Sequence, residues 1–533
     1  MKRLFRSRTA LYGSLAVTLG LVLLSAALVL ARKVQVKMLP FDNKNEFQVI
    51  LNMPENSSYA RTRLAVDEMA VYLRTLPEAS DVETYAGTSG PYNFNGLVRH
   101  YFMRARPYQA DIQVNLVGKS ERKRQSHEIA VSARRAVAEI AAKYGARVQV
   151  AEVPPGPPVL STLVVEIYNE DPDKRAVLVG EIKKLLGATP GVVDVDSYLP
   201  APQELTRLNV DRQKATLNGL SSSELAQTAY IALSGSNIDL AHVAGENEPV
   251  SINLRLAPGE RGSLAPLNAL KLYSGNGTPL SLGALVKPEP ALAAVPLYQK
   301  NLQKVSYVTA EVAGAIESPV YAILELRGKI DALARDKGAA IDQYYARQPD
   351  ISGGKTAIKW DGEWQVTYEV FRDMGISFAI VMILIYVIVV AWFGSFITPL
   401  IIMVPIPLTL IGVLPGHWLM GSFFTATSMI GFIAGAGIVV RNSIILVDFI
   451  ELRLKEGATL DQACIDAGLA RFRPMLLTAA AVVVAGAFIL FDPIFQGLAI
   501  SLIGGAIAST ILSRTSVPAL YHLAHGALKG ERK

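Results

Sequence analysis

The chain has 533 residues, of which 51% are hydrophobic and 18% are charged, and its formal net charge is +6. This composition is too apolar for a soluble globular protein and too polar for membrane helices alone, so it predicts a membrane protein with a large water-exposed part. The basic residues are dispersed and concentrate at the ends of apolar runs, which argues against a nucleic-acid-binding surface. The single cysteine, Cys464, excludes an internal disulfide and a cysteine-cluster metal site.

The first apolar run covers residues 9–31. It is longer than the apolar core of a secretory signal, which has about 7 to 15 residues, and basic residues follow it directly. We therefore predict a retained membrane helix in residues 1–31, with the N-terminus in the cytoplasm. A basic cluster precedes the run: Lys2, Arg3, Arg6 and Arg8.

Residues 32–368 contain no membrane-length apolar run but alternate short strands with amphipathic helices. Strands are predicted at residues 47–52, 81–85, 110–116, 147–153, 163–168, 192–198 and 305–312, and helices at residues 58–76, 126–144, 172–186 and 319–337. Between the last two predicted strands lie a strand at 208–211, a helix at 221–233 and a strand at 249–256.

This series starts twice, on either side of the proline-rich linker at residues 153–159. Residues 77–85 and 190–198 share the pattern P-x-x-x-D-V-acid-hydroxyl-Y, and in both places the pattern follows an amphipathic helix. A duplicated split β-α-β (ferredoxin-like) unit explains both observations. The predicted subdomains are residues 32–153, residues 154–204 with 293–368, and an insertion at residues 205–292.

The remaining residues, 369–533, predict a five-helix membrane bundle. Short joints between the runs make successive helices antiparallel, and the basic residues of one loop and of the C-terminal tail place both in the cytoplasm. The same loop contains a predicted cytoplasmic helix, at residues 451–472. The predicted spans are residues 374–396, 399–420, 425–451, 474–491 and 495–522.

The run at residues 425–451 carries Arg441 well inside it. An arginine at that depth costs about 2.5 to 3.5 kcal/mol, so a spanning helix that keeps one usually faces it to a bundle interior, a water pocket or an acid. Asn442 follows Arg441 directly, and Asp448 lies two helical turns further on. Small residues at 431–437 precede Arg441 and allow another helix to approach closely. The alternative is that Arg441 extends to the lipid headgroups.

Three motifs resemble those of resistance-nodulation-division (RND) efflux permeases: LPFD at residues 39–42, RNSIILVDF at 441–449 and RFRPMLLT at 471–478. The order of one helix, paired β-α-β units and five further helices is similar to the C-terminal half of such a permease. The resemblance implies a trimeric, proton-driven exporter in the bacterial inner membrane. It further implies a periplasmic porter region, a docking insertion, a periplasmic adaptor protein and an outer-membrane channel.

The resemblance also implies site residues. Arg441, with Asn442 and Asp448, corresponds to a proton relay in which a basic residue lies beside two membrane aspartates. Thr478 completes that relay, and Arg471 marks its cytoplasmic mouth. Arginine stays charged at any working pH, so Arg441 is predicted to be a fixed counter-ion.

The apolar runs contain no Asp, Glu or His near their middle, whereas a proton relay needs such a group. Asp448 itself is better explained by an interfacial acid close to Arg453 than by a relay group. We therefore predict half of a pump, which needs a complementary N-terminal half carrying the aspartates.

The segment after Tyr85 combines glycines with aromatic residues, as expected of a cleft for drug-like or amphiphilic cargo. Its candidate cleft residues are Tyr92, Phe94, Tyr101 and Phe102; the alternative is that they belong to the domain core. A heavy-metal exporter half is a second interpretation, although the porter methionines and histidines are scattered. A non-transporting regulatory or remnant subunit is a third. The sequence shows no phosphate-binding loop and no nucleophile–base set, so neither an enzyme nor a cofactor is predicted.

Overall fold

The structure, a computed structural model, describes residues 8–153, 156–314, 317–336, 338 and 340–530. The basic residues Lys2, Arg3 and Arg6 of the predicted N-terminal cluster and part of the proline-rich linker lie outside the described residues. The chain divides into two compact units, one of which is Pro200–Pro296 and the other the two flanking parts together.

The first sheet domain is a four-stranded antiparallel sheet with two helices on one face. Phe47, Val49 and Leu51 alternate with residues of the opposite face and pack against Ile129 and Val137 of the second helix. The helices are Tyr59–Leu73 and Ser126–Lys143, with a short helix at Phe94–Val98 and a 3-10 turn at Tyr101–Met103. In spatial order the strands are Ala79–Ala86, Gln109–Leu116, Glu46–Asn52 and Arg147–Ala151.

The second sheet domain has the same strand order with two short strands added. Its central strand, Leu163–Tyr168, is buried along its whole length. The helices are Pro172–Gly187 and Pro319–Asp336. From one edge the strands are Ile341–Tyr344, Thr356–Gly362, Leu163–Tyr168, Gln303–Val312 and Tyr298–Lys300, and Val192–Ser197 also pairs with Gln303–Val312.

Three strands of the second sheet are absent from the sequence prediction, namely Ile341–Tyr344, Thr356–Gly362 and Tyr298–Lys300. The second of them is TAIKWDG, in which Lys359 and Asp361 interrupt the apolar pattern. Lys359 is nevertheless buried, and its Nζ lies 3.6 Å from the Glu166 carboxylate on the neighbouring strand. A partner distant in sequence therefore makes this polar strand compatible with the core.

The inserted unit, Pro200–Pro296, has its own small core around Leu225, Leu267, Leu282 and Leu285. It begins and ends a few residues outside the predicted insertion. Its strands pair as Glu204–Val210 with Val286–Leu292, Ser236–Leu240 with Ser251–Leu254, and Lys271–Tyr273 with Pro279–Ser281. Its helices are Arg212–Leu217, Ser222–Ser234 and Leu264–Ala269.

Six helical stretches in the described part of the chain are long and apolar enough to cross a membrane. They are Thr9–Leu30 (within the helix Arg8–Leu30), Glu363–Phe393, Thr398–Leu419, Ala426–Lys455, Leu460–Ile489 and Gln496–His525 (within the helix Gln496–Gly530).

Two of these stretches are interrupted, and two others extend beyond their predicted ends. The third consists of the helices Thr398–Met403, Pro405–Leu408 and Leu410–Leu419, because proline lacks the N–H that continues a helix. The fifth consists of Leu460–Ala470 and Phe472–Ile489. The predicted span at residues 374–396 begins earlier, at Glu363, and the span at 425–451 ends later, at Lys455.

The helix Leu410–Leu419 crosses the C-terminal helix, Gln496–Gly530, at Gly412 and Gly504. A Cβ atom placed on Gly412 would lie 1.9 Å from the Gly504 carbonyl oxygen, which is backbone and cannot rotate away. The two backbones therefore approach as closely as glycine alone allows.

We predict that Gly412→Ala destabilises the bundle, because the added methyl must push the two helices apart, at a cost of about 1 to 3 kcal/mol. The measurement is thermal unfolding of the purified chain in detergent. Gly435→Ala is the matched control: a Cβ there meets nothing within 4 Å, so the gain of about 1 kcal/mol in helix propensity is expected instead. An unchanged unfolding temperature for Gly412→Ala would contradict the close crossing.

Candidate functional site

Arg441 lies on the helix Ala426–Lys455, called here the Arg441 helix. The helix begins at a capping box in which the Thr425 side chain accepts a hydrogen bond from the Ser428 N–H. Gly431 packs on the C-terminal helix, where an added Cβ would lie 2.8 Å from the Leu498 carbonyl oxygen. One side of the Arg441 helix is thus packed against its neighbours. Leu446 on this helix belongs to the apolar core of the membrane bundle.

The opposite side of the Arg441 helix is uncovered from residue 430 to residue 452. Between residues 430 and 452 every exposed residue falls at a spacing of three or four, which is one face of a helix. We call this face the exposed stripe. It consists of Ile430, Ala434, Gly437, Arg441, Ile445, Asp448 and Leu452.

The exposed stripe carries both charged candidates, Arg441 and Asp448. The described part of the chain supplies neither of them with an ion pair or a hydrogen bond. Seven residues separate the two along the helix, a rise of about 10 Å, so Asp448 is too distant to neutralise Arg441. Arg453 pairs with Asp466 and Glu456 and not with Asp448, so the interpretation of Asp448 as an interfacial acid stays a prediction.

The surroundings of Arg441 differ from the prediction. The sequence suggests that Arg441 faces a bundle interior with Asn442 and Ser443 beside it, but in this chain Arg441 is exposed and both neighbours are buried. The Ser443 hydroxyl donates to the Val439 carbonyl, 3.0 Å away. Successive helix residues point about 100° apart, so residues adjacent in sequence cannot share one face.

Thr478 and Arg471 lie on the neighbouring elements. The Thr478 hydroxyl donates to the Met475 carbonyl of its own helix at 2.9 Å, and the structure shows no contact between it and Arg441 among the described residues. The Arg471 guanidinium lies 5.0 Å from the centre of the Phe449 ring, next to Asp448 in sequence. The structure therefore places Arg471 against the Arg441 helix, whereas the Thr478 hydroxyl is bonded within its own helix.

Three of the four predicted cleft aromatics are exposed. Tyr92 is 76% exposed and Phe94 is 46% exposed, while the Tyr92 and Phe102 rings stack with their centres 5.8 Å apart. These side chains are therefore not core residues. Tyr101 differs, because it is half-buried and its hydroxyl donates to Gln149 Oε1 at 3.3 Å.

The segment that carries these aromatics, residues 87–103, is fastened by two arginines. Arg99 is buried and its Nη1 donates to Glu311 Oε1 of the second sheet domain at 2.7 Å. Arg104, just after the segment, pairs with Asp111 at 2.7 Å and donates to the Leu51 carbonyl at 2.7 Å. The segment is thus anchored to both sheet domains.

The Glu311 carboxylate is held in its charged form. Burial alone would raise the pKa of Glu311, but the Arg99 charge and hydrogen bonds from Thr162 and Ser161 hold it below its ordinary value. Arg99 and Glu311 were missed by sequence reasoning because 212 residues separate them. Nothing local in the sequence marks either residue as half of a pair.

The methionines and histidines of the sheet domains bear on the metal interpretation. Among the described residues, no three His, Cys, Asp or Glu side chains are placed to hold one metal ion. Met53 and Met69 are fully buried, whereas Met103 is 72% exposed. His100 is also exposed and shares a 3-10 turn with Met103, whose N–H donates to the His100 carbonyl at 3.1 Å.

We predict that Arg99→Met releases residues 87–103, because it leaves the Glu311 carboxylate buried and unpaired, a change that typically costs about 3 to 5 kcal/mol. The expected result is faster limited proteolysis within the segment. Arg106→Met, which removes an exposed arginine nearby, is the control and should cleave at the wild-type rate. Equal cleavage of Arg99→Met and wild type would show that the pair does not anchor the segment.

The pairing of Arg99 with Glu311 also predicts a pH dependence. Because the folded pKa of Glu311 is depressed, its stabilisation is present above the unfolded pKa and is lost as pH falls through the folded value. Cleavage of the wild-type segment should therefore accelerate in acid, while Arg99→Met should lose most of that acceleration.

Comparison with known proteins gives a family and several relatives. The family model described as AcrB/AcrD/AcrF matches residues 7–525. The chain is 26% identical to the swarming motility protein SwrC of Bacillus subtilis (strain 168) over 369 residues, which are 68% of this chain and 33% of SwrC. It is 28% identical to the nickel and cobalt resistance protein CnrA of Cupriavidus metallidurans over 385 residues, again 68% and 33% of the two chains.

A solved structure shows the same fold. The crystal structure of a heavy metal efflux pump superposes with a TM-score of 0.78 at 20% identity and covers 98% of this chain. The match takes in 50% of the pump chain. This chain therefore spans half of that pump, and its matches span a third of SwrC and of CnrA.

Proposed function

Because the chain belongs to the AcrB/AcrD/AcrF family of RND permeases, we propose that it forms part of a proton-driven efflux transporter that exports heavy-metal cations. Membership of the family supports efflux as the proposed activity. The cargo, the energy source and the need for a second membrane bundle are the new parts of the proposal, and each has its own support.

The observation that carries the proposal is the exposed stripe. A guanidinium at this depth would cost about 2.5 to 3.5 kcal/mol in a membrane if lipid covered it. Ala434 and Gly437, on the same face, leave room for another helix to come close. A second bundle that brings carboxylates against Arg441 removes that cost, whether it belongs to the same polypeptide or to another one.

In the assembled transporter Arg441 acts as a fixed positive charge. Its guanidinium keeps its proton at any working pH, so the partner carboxylates are the groups that gain and lose protons. Asp448 lies further along the same stripe, and Arg471 contacts Phe449 at the proposed cytoplasmic mouth. We assign Asn442 to the same relay from the buried side of the Arg441 helix. We assign Thr478 to it from the helix Phe472–Ile489.

The rest of the architecture follows the family. The two sheet domains form the periplasmic porter, and the inserted unit is the docking region. We further propose a trimer in the bacterial inner membrane that works with a periplasmic adaptor protein and an outer-membrane channel.

Heavy-metal cargo is favoured over amphiphiles by the named relatives, since CnrA is a nickel and cobalt resistance protein and the superposed structure is a heavy metal efflux pump. His100 and Met103 offer an imidazole and a thioether, ligands suited to borderline and soft cations. An amphiphile is the second candidate, favoured by the exposed Tyr92 and Phe102 pair.

We predict that Arg441→Ala abolishes coupled transport, with at least a tenfold loss, because the partner carboxylates lose the charge that sets their proton affinity. The chain is co-expressed with the complementary bundle, and nickel- or cobalt-driven proton movement is measured in everted vesicles. Arg441→Lys retains the charge and should keep part of the activity. Ile445→Ala, a neutral change on the same stripe, is the control. Wild-type transport by correctly assembled Arg441→Ala would remove the counter-ion role.

The two cargo candidates predict opposite results for two double variants. If metal is the cargo, His100→Ala with Met103→Leu lowers nickel and cobalt resistance of a sensitive host several-fold, while Tyr92→Ala with Phe102→Ala has little effect. If amphiphiles are the cargo, the aromatic variant loses dye efflux and the first variant does not. Both variants are compared at equal protein level in the membrane.

A further inference from the structure

A cluster of charged side chains outside the membrane helices has no part in the proposed relay. The His127 ring stacks on Phe41 with ring centres 4.5 Å apart, and Lys37 Nζ lies 4.4 Å from the centre of the same Phe41 ring. Two carboxylates complete the cluster. Glu152 Oε2 lies 2.8 Å from His127 Nδ1, and Glu317 Oε1 lies 3.7 Å from His127 Nε2. We call these five residues the clasp.

The clasp joins three parts of one compact unit. Lys37 and Phe41 belong to the segment that follows the first membrane helix, and His127 and Glu152 belong to the first sheet domain. Glu317 directly precedes the helix Pro319–Asp336 of the second sheet domain. Glu317 is also 3.9 Å from Lys37 Nζ, so this single carboxylate holds two cations that come from different parts of the chain.

We propose that His127 is a proton-binding site whose occupancy controls how firmly the two sheet domains are held together through Glu317. With both ring nitrogens protonated, His127 donates towards Glu152 within its own domain and attracts Glu317 across the joint. When the proton leaves, one nitrogen can no longer donate and the charge on the imidazole is lost. Lys37 is then the only cation of the clasp that still attracts the Glu317 carboxylate.

The surroundings favour the protonated form. Burial lowers the pKa of His127, but the contacts with the Glu152 and Glu317 carboxylates more than offset this and raise it to about 9. The clasp is therefore at full strength below the pKa of an unfolded histidine, about 6.5, and is lost as pH rises through about 9. By linkage, moving Glu317 away lowers the affinity of His127 for its proton.

The other charged groups around His127 are already matched. Arg99 pairs with Glu311 and Arg134 pairs with Asp194. Arg99, Glu311 and Arg134 line a small cavity together with His127 and Glu152. A second cavity of about 40 Å³ adjoins Lys37, Glu152 and Glu363, which is enough for water. Lys37 Nζ is buried and has no hydrogen-bond partner among the described residues. Water there can solvate Lys37 and give the clasp a path for proton exchange.

The proposal does not depend on the cargo or on Arg441. Its first test is a pH titration by NMR of the full chain in detergent, with its six histidines ¹³C-labelled and His127 assigned from His127→Gln. The expected midpoint for His127 is about 9. Glu317→Gln should lower it by about one unit or more, since an opposite charge at this range shifts a pKa by that amount. Glu325→Gln, on the same helix of the second domain, is the control and should leave it unchanged.

The second test measures the joint itself. Spin labels at Arg135 and Leu324, both exposed on helices of the two sheet domains, report their separation in a background where Cys464 is replaced by alanine. The distance distribution should broaden or lengthen as pH rises through about 9, and Glu317→Gln should give the high-pH distribution at neutral pH.

Two results would overturn the proposal. One is a His127 midpoint near that of an unfolded histidine or one that Glu317→Gln does not move. The other is a distance distribution that stays constant while His127 titrates. Because Glu317→Gln is isosteric, the distance measurement keeps the proposal testable even if His127→Gln fails to fold.

Discussion

The membrane helices and the sheet domains are tied together by one short stretch of backbone, residues 34–42. Val34, Lys37 and Met38 of this stretch are buried, and buried peptide groups need partners. The stretch finds its partners in three other parts of the unit. Val36 N–H donates to the Tyr321 hydroxyl at 3.1 Å, Lys37 N–H to the Phe424 carbonyl at 3.2 Å, and Met38 N–H to Glu363 Oε1 at 3.3 Å. These bonds give the first membrane helix, the second sheet domain and two further membrane helices a common point of attachment.

Charged pairs cross the joint between the sheet domains next to this attachment. Arg99 with Glu311 and Arg134 with Asp194 both cross it. The cost of desolvating such groups offsets most of their attraction, so they add little net stability, but separating the partners without water leaves a charge uncompensated. The charged pairs therefore favour one arrangement of the two domains, and water can still enter and separate them. An apolar interface of the same area opens to water less readily.

The sequence predicts features that depend on a local hydrophobic pattern. It does not predict features that depend on a contact between residues far apart in the chain. The apolar strand Leu163–Tyr168 and the depth of Arg441 follow directly from hydrophobic runs. The direction in which Arg441 points does not, because it depends on which side of the helix Gly431 places against the C-terminal helix. The strand Thr356–Gly362 was missed for a similar reason. A lysine in a short apolar run predicts a solvent-exposed segment, and the sequence does not show that Glu166 lies beside Lys359. The clasp could not be predicted from the sequence, because its residues come from segments far apart in the chain.

The start of the Arg441 helix is bonded to the same stretch of backbone that supplies the clasp. Ala426 N–H donates to the Met38 carbonyl at 2.9 Å, one residue from Lys37, and the capping box at Thr425 fixes the first turn. From there the helix runs without a break for 30 residues, a length of about 45 Å. A helix that is packed on one side and continuous moves as one body, so a shift at its first turn must be matched at Arg441. Coupling between two sites needs an element that both of them bias. In our proposals the Arg441 helix is such an element, because its first turn is bonded to the segment that supplies Lys37 of the clasp and Arg441 lies on its uncovered face.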